Sequence, residues 1–350
     1  MSASGITKRM ILAEDSAVTA EAIGAILRSD TSIDLVRVVN NGAAAVAAAR
    51  ELRPDIVLMD VHMPGVDGFE AARRIMESCP SRVIMMSATL DPSAPVSGVR
   101  AIEAGAMMMI AKPGHRGDPD YAQSVKALLR NIHLLAEVPV VRRMTRAGTV
   151  RPQRGHRVVI DVVAVGASTG GPSALKTVLS ALGDDFPVPI VIVQHMTHGY
   201  VSGLSSWLNE KTGLAVCVAK HGQALRPGNA YLAPDGMHIE LARGPVVMLH
   251  DGDNEFGMKP AISRLFRSVA DAFGARSIGV ILTGMGSDGA QELRRMRDSG
   301  AVTIAEDPTS AAVRGMPEAA VRLGAAERVL ALEDIGPALL AACAKNSLSV

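Results

Sequence analysis

The chain has 350 residues, 48% of them apolar and 20% charged, with a formal net charge of +1. That length accommodates two domains, each able to bury its own core, and the charge balance carries no footprint for nucleic acid. Cys79, Cys217 and Cys343 stand far apart without a CxxC spacing, which points away from a disulfide framework or a zinc site and toward buried apolar roles.

The segment Met1-Ser-Ala-Ser-Gly5 leads into Lys8-Arg9 without the apolar core of a signal segment, and no apolar run is long enough to span a bilayer. A cytoplasmic protein that is not itself a membrane protein is expected. From Arg9 to about Ala136 the pattern is strand then helix, five times over. The predicted strands are Met10–Ala13, Ile33–Val39, Asp55–Met59, Arg82–Met86 and Ala106–Ile110, with alanine-rich helical stretches between them, which predicts a doubly wound parallel sheet. Their C-terminal ends carry Glu14-Asp15, Asp60, Ser87-Ala88 and Lys112-Pro113. Loops after parallel strands share one edge of the sheet, so these groups gather there. Carboxylates held together repel one another unless a hard cation neutralises them, and oxygen ligands suit Mg²⁺. A hydroxyl and an ammonium nearby could hold the oxygens of a phosphoryl group carried on one carboxylate. Taken singly, each residue also reads as a turn acid, a helix cap or a surface lysine.

In these residues, including Leu58-Met-Asp60-Val-His-Met-Pro64-Gly65-Val-Asp-Gly68, the segment resembles the response-regulator receiver domain, a flavodoxin-like fold. The resemblance implies that Asp60 accepts phosphate from a histidine kinase, that Glu14, Asp15 and Asp60 bind Mg²⁺, and that Ser87 and Lys112 sense the phosphoryl group. The family often has an aromatic residue shortly before the lysine, where this chain has Met109.

Residues 137–157 contain six arginines with Pro and Gly and no apolar periodicity, and read as a linker between a domain over 1–136 and another over 158–350. The second domain opens with an apolar run that breaks at Gly166-Ala-Ser168-Thr-Gly170 into a helix from Pro172. This strand, tight turn and helix fit a nucleophile elbow with Ser168 at the bend. A glycine-rich phosphate loop or a plain turn reads almost the same way. Two further buried strands are predicted: Pro187–Val193 runs into Gln194-His195, and Ser277–Thr283 into Gly284-Met-Gly-Ser-Asp288-Gly289. By the same edge rule Ser168, His195 and Asp288 converge as nucleophile, general base and the carboxylate that orients the base. Their chain order is not that of the α/β-hydrolases. The hairpin expected around Arg243-Gly244, from His238–Ala242 and Val246–His250, is grouped with Asn229–Pro234 as a small insert, in an otherwise doubly wound, Rossmann-like α/β sheet.

These stretches, with Leu225-Arg-Pro-Gly228, Tyr231-Leu-Ala-Pro234, Leu265-Phe-Arg-Ser268 and Gly315-Met-Pro317, resemble the chemotaxis protein-glutamate methylesterase family, CheB, over nearly the whole domain. The resemblance implies Ser168 as nucleophile, His195 as general base, Asp288 as its orienter, a Met285 amide in the oxyanion hole and Thr169 beside the nucleophile. It implies hydrolysis of glutamate methyl esters on the cytoplasmic helices of chemoreceptors, deamidation of glutamines there, no metal in that step, and control through a CheA-type kinase. This chain departs from the family at Lys259-Pro-Ala-Ile-Ser263, where Arg-Pro-Ser-Val-Asp is usual, and at Arg314, where Phe is common. A hydrolase of a related chemosensory pathway and a non-catalytic adaptor are the competing readings.

Overall fold

The computed structural model describes residues 7–87, 101, 104, 106–136 and 159–344. The chain divides into two units, Met1–Val140 and Val141–Val350. The expected 137–157 linker and Ala88 lie outside the described residues.

In the first unit β1 (Lys8–Ala13), β2 (Ile33–Val39), β3 (Ile56–Asp60), β4 (Arg82–Ser87) and β5 (Met108–Ala111) form a parallel sheet in the order β2-β1-β3-β4-β5. The helices Ala17–Arg28, Gly42–Leu52 and Gly68–Ser78 start on Ser16, Asn41 and Asp67, whose side chains each accept a first-turn amide. Every residue of β3 is buried, which is why its sequence is apolar without alternation. The helix Gly68–Ser78 turns Phe69, Ala71, Ala72 and Ile75 inward onto this core, and Met109 packs against the same core from β5. The strand order reverses between β1 and β3, so the loops after these two strands part and leave a crevice. Glu14, Asp15 and Asp60 stand at its two sides.

The second unit contains a seven-stranded sheet in the order β14-β13-β12-β6-β7-β9-β8, parallel throughout. Its strands are β6 (Val162–Ala167), β7 (Ile190–Gln194), β8 (Ala215–Val218), β9 (Asn229–Leu232), β12 (Ser277–Ile281), β13 (Val302–Glu306) and β14 (Arg328–Leu330). Antiparallel β10 (His238–Ala242) and β11 (Val246–His250) make the expected hairpin around Arg243-Gly244. Asn229–Leu232 belongs elsewhere than predicted. It lies inside the main sheet between β7 and β8, and because both pairings are parallel, made across crossovers rather than a tight turn, they leave no local signature. The helix Ile262–Phe273 buries Ile262, Leu265, Phe266 and Val269 completely, and deleting such a side chain to alanine typically costs about 2–5 kcal/mol. Here the order reverses between β6 and β12, so the loops bearing Ser168 and Asp288 flank the switch point.

Candidate active site

Ser168 follows β6 directly and precedes the helix Gly171–Ser180. Gly170 between them has φ +78°, a left-handed conformation open to glycine at little cost. The Ser168 amide donates to Thr283 O at 3.0 Å, and its carbonyl accepts from Gly171 N at 2.8 Å. Gln194, the last residue of β7, adds a clamp: its Nε2 donates to Ser168 O and to His195 O, both at 2.7 Å. The His195 amide in turn donates to Ala167 O at 2.9 Å. The backbones of Ser168 and His195 are therefore tied together across adjacent strand ends. Gly284 completes the enclosure, since a Cβ there would lie 2.7 Å from that of Ser168.

The imidazole and the carboxylate meet, with His195 Nε2 2.9 Å from Asp288 Oδ2 and both side chains buried. Both ring nitrogens of His195 are buried and neither has a hydrogen bond of good geometry among the described residues. Nε2 keeps its 2.9 Å contact with Asp288, and Nδ1, which the Ser168 hydroxyl does not reach here, is the nitrogen left to exchange a proton. Asp288 Oδ2 also accepts from Ile262 N at 2.7 Å, and Oδ1 accepts from Ser263 N at 3.0 Å and from the Ser263 hydroxyl. Burial works against the Asp288 charge, but the bonds from His195, Ser263 and Ile262 outweigh it and hold the carboxyl below its usual range. An imidazole backed by an ionised carboxylate is the arrangement of a general base.

The Ser168 amide is occupied by Thr283 O, so it is not the donor for a developing oxyanion. Met285 lies in the turn after β12, where Gly315 packs close enough that a Cβ would be 3.3 Å from Met285 Cα. Thr169 is buried at the helix entrance. Among the described residues the amides of Met285 and Thr169 have no acceptor.

In the first unit Lys112 Nζ lies 2.7 Å from Glu14 Oε2 and 2.9 Å from Asp60 Oδ2. Ligand oxygens of Glu14, Asp15 and Asp60 all fall within 4.8 Å of one another. Burial, with repulsion from Asp60, lifts the Glu14 carboxyl above its usual value against the pull of Lys112. Desolvation opposes the Lys112 charge, and Glu14 and Asp60 more than restore it. Three crowded oxygen donors, one of them driven toward protonation, fit a hard divalent cation. Ser87 is buried at the end of β4, and its carbonyl accepts from Lys112 N at 2.9 Å.

Residues 163–339 match the family described as CheB methylesterase, and residues 10–119 the one described as Response regulator receiver domain. The chain is 42% identical to protein-glutamate methylesterase/protein-glutamine glutaminase 1 of Syntrophus aciditrophicus (strain SB), over 95% of this chain and 97% of the relative. The chain belongs to the CheB methylesterase family. Another CheB relative, the protein-glutamate methylesterase/protein-glutamine glutaminase of Nitrosospira multiformis, is 41% identical over 94% of this chain and 95% of its own length. The solved CheB methylesterase catalytic domain of Thermotoga maritima superposes with a TM-score of 0.51 at 35% identity, covering 53% of this chain and 99% of that domain.

Against that CheB pattern, the departures fall in different surroundings. Lys259 pairs with Asp251 at 2.7 Å. Arg314 is an exposed residue leading into the helix Gly315–Arg322, 3.5 Å from Glu318. Ser263 is fully buried against Asp288. The sequence did not single out Glu306, at the end of β13. It is 1% exposed and accepts from Thr283 N at 2.7 Å, one peptide away from the Ser168 contact.

Burial pushes the Glu306 carboxyl up to about 7 despite that bond, with Glu333 and Asp307 adding repulsion. The folded state then holds a proton that the unfolded chain releases near 4.5, so stability falls as pH rises from about 4.5 to about 7 and levels off above. Glu306→Gln is predicted to stabilise the second unit by up to about 3 kcal/mol above pH 7 and to gain little below pH 4.5. Urea unfolding at pH 8 and pH 4.5 checks this, and an equal effect at both values counts against a titrating Glu306.

Proposed function

We propose that this chain is a phosphorylation-activated protein-glutamate methylesterase that also deamidates glutamines, acting on the cytoplasmic helices of chemoreceptors. The observation that carries this reading is the 2.9 Å contact between His195 and Asp288 at the sheet edge that also bears Ser168. In this reading Ser168 Oγ attacks the γ-carbonyl of a methylated glutamate while His195 takes its proton. The resulting imidazolium, held by Asp288, protonates the departing methoxide, so methanol leaves and a γ-glutamyl ester of Ser168 remains. Water then repeats the sequence, with His195 again accepting a proton and returning it to Ser168. Amides of Met285 and Thr169 would stabilise the oxyanion of both steps. With a glutamine substrate ammonia takes the place of methanol.

Control would come from Asp60, phosphorylated by a CheA-type histidine kinase in the cytoplasm. Glu14, Asp15 and Asp60 would hold Mg²⁺, which supplies neutralising charge for phosphoryl oxygens. Lys112 and Ser87 would bind the phosphoryl group once it is in place. Such a switch works only through a difference in how the phosphorylated and free receiver favour the active state.

Methanol release from methylated chemoreceptor membranes, with and without a small phosphodonor, tests both halves of the reading. Release is expected to rise about 5- to 150-fold with the phosphodonor, the usual span of such coupling, and Asp60→Asn is expected to abolish the rise. A variant that still responds would move the phosphoacceptor away from Asp60, and no methanol in any arm would reject the esterase.

A further inference from the structure

The helix Ile262–Phe273 begins without a capping side chain of its own, because its N-cap residue is Ala261. Its leading amides must find acceptors elsewhere. Ala261 N donates to His238 Nδ1 at 3.2 Å, and Ile262 N and Ser263 N donate to Asp288. The carboxylate thus caps the helix from a loop 25 residues away in sequence. Gly289 permits this approach: it has φ +81°, and a Cβ there would lie 2.4 Å from Ile262 Cγ2.

Ser263 does more than contribute an amide. Its hydroxyl accepts from Gly289 N at 3.0 Å, so its single proton is directed at Asp288 Oδ1. Oδ1 therefore receives both the amide and the hydroxyl of Ser263, while Oδ2 receives the Ile262 amide and faces His195 Nε2. A carboxylate with donors distributed in this way cannot rotate about its Cβ–Cγ bond without breaking several of them. We propose that Ser263 is a positioning residue for the hydrolysis, its hydroxyl fixing which oxygen of Asp288 meets His195 and drawing off part of the negative charge presented to the imidazole. The proposal rests on the hydrolase reading above.

Loss of the hydroxyl leaves the Gly289 amide without its acceptor and Asp288 with one donor fewer, so the carboxylate holds a positive charge on its neighbour more tightly. Ser263→Ala in the full chain is expected to lower kcat about 10- to 100-fold, the range for a lost hydrogen bond to a charged group, with KM within about twofold. The acid limb of its pH–rate profile should move to higher pH. Ser263→Thr, which keeps a hydroxyl at the same carbon, should return the limb toward its wild-type position.

The assay is methanol release from a synthetic helical peptide bearing a glutamate γ-methyl ester, after treatment with a small phosphodonor, with circular dichroism verifying the fold of each variant. An acid limb in Ser263→Ala that coincides with wild type overturns the proposal, as does a Ser263→Thr limb that coincides with that of Ser263→Ala. Wild-type protein that releases no methanol, or Ser168→Ala protein that still does, removes the hydrolase reading itself, an outcome distinct from either.

Discussion

Ser168→Ala is expected to lower methyl-ester hydrolysis by about 10⁴-fold or more, as removal of a triad nucleophile does elsewhere. The substitution isolates the chemistry, because the bonds that shape this turn are made by the backbone. Ser168 N to Thr283 O, Gly171 N to Ser168 O and Gln194 Nε2 to Ser168 O survive the loss of Oγ. Unfolding free energy should therefore stay within about 0.5 kcal/mol of wild type. Turnover of the peptide ester by stopped-time methanol assay is the measurement, with denaturant unfolding beside it. Activity above about one percent of wild type, in a protein of unchanged stability, would place the nucleophile elsewhere. A parallel loss of turnover and stability would instead show that the hydroxyl holds the turn together, contrary to the bonds described above.

The three strands that build this site were legible because β6, β7 and β12 are buried along their whole length. A strand covered on both faces has an uninterrupted apolar sequence, and the residues just past its C-terminal end must lie at the sheet edge. The acidic groups of the first unit were readable for the same reason. The two outermost strands of the second sheet were not: β8 and β14 are short and only partly buried, so they lack the full coverage that marks the inner strands. The four residues of β9 carried a strand signal, but nothing local in Asn229–Leu232 states that its neighbours are β7 and β8. The polar support of the site was hidden more deeply. Gln194 is adjacent to His195 in sequence, yet no local pattern says that its amide binds two carbonyls. Ser263 was visible only as a departure from a family pattern, because its partner lies 25 residues further on. Glu306, at the end of a buried strand, has the same edge position as Ser168, His195 and Asp288 but no motif around it to mark it out.

Asp288→Asn is the second large effect, and it should appear in both rate and stability. An asparagine has one acceptor oxygen where the carboxylate has two, and its amide nitrogen donates. Four donors converge on Asp288, from Ile262 N, Ser263 N, Ser263 Oγ and the His195 ring. If the asparagine oxygen takes the Oδ1 place, its NH₂ confronts the Ile262 amide and His195. If it takes the Oδ2 place, the NH₂ confronts Ser263. The first arrangement presents a donor to His195 Nε2 and favours the tautomer with its proton on Nδ1, the nitrogen otherwise available to accept one; the loss in kcat should then approach the roughly 10⁴-fold seen for the equivalent change in other triads. Either arrangement leaves a buried donor unsatisfied, which costs about 1–3 kcal/mol of stability. The cost depends on pH in a definite sense. The Asp288 carboxyl is held below its unfolded value of 3.8, so its contribution is present above that value and is lost as pH falls through the folded one. Wild type and variant should therefore differ most in unfolding free energy at neutral pH, and the gap should narrow as pH falls below about 3.8 toward the folded value. Urea unfolding at pH 7 and at pH 3 measures the gap directly. A gap that stays constant, or widens in acid, would mean that Asp288 does not carry its charge into the folded helix end, and with it would go the electrostatic support assigned to His195.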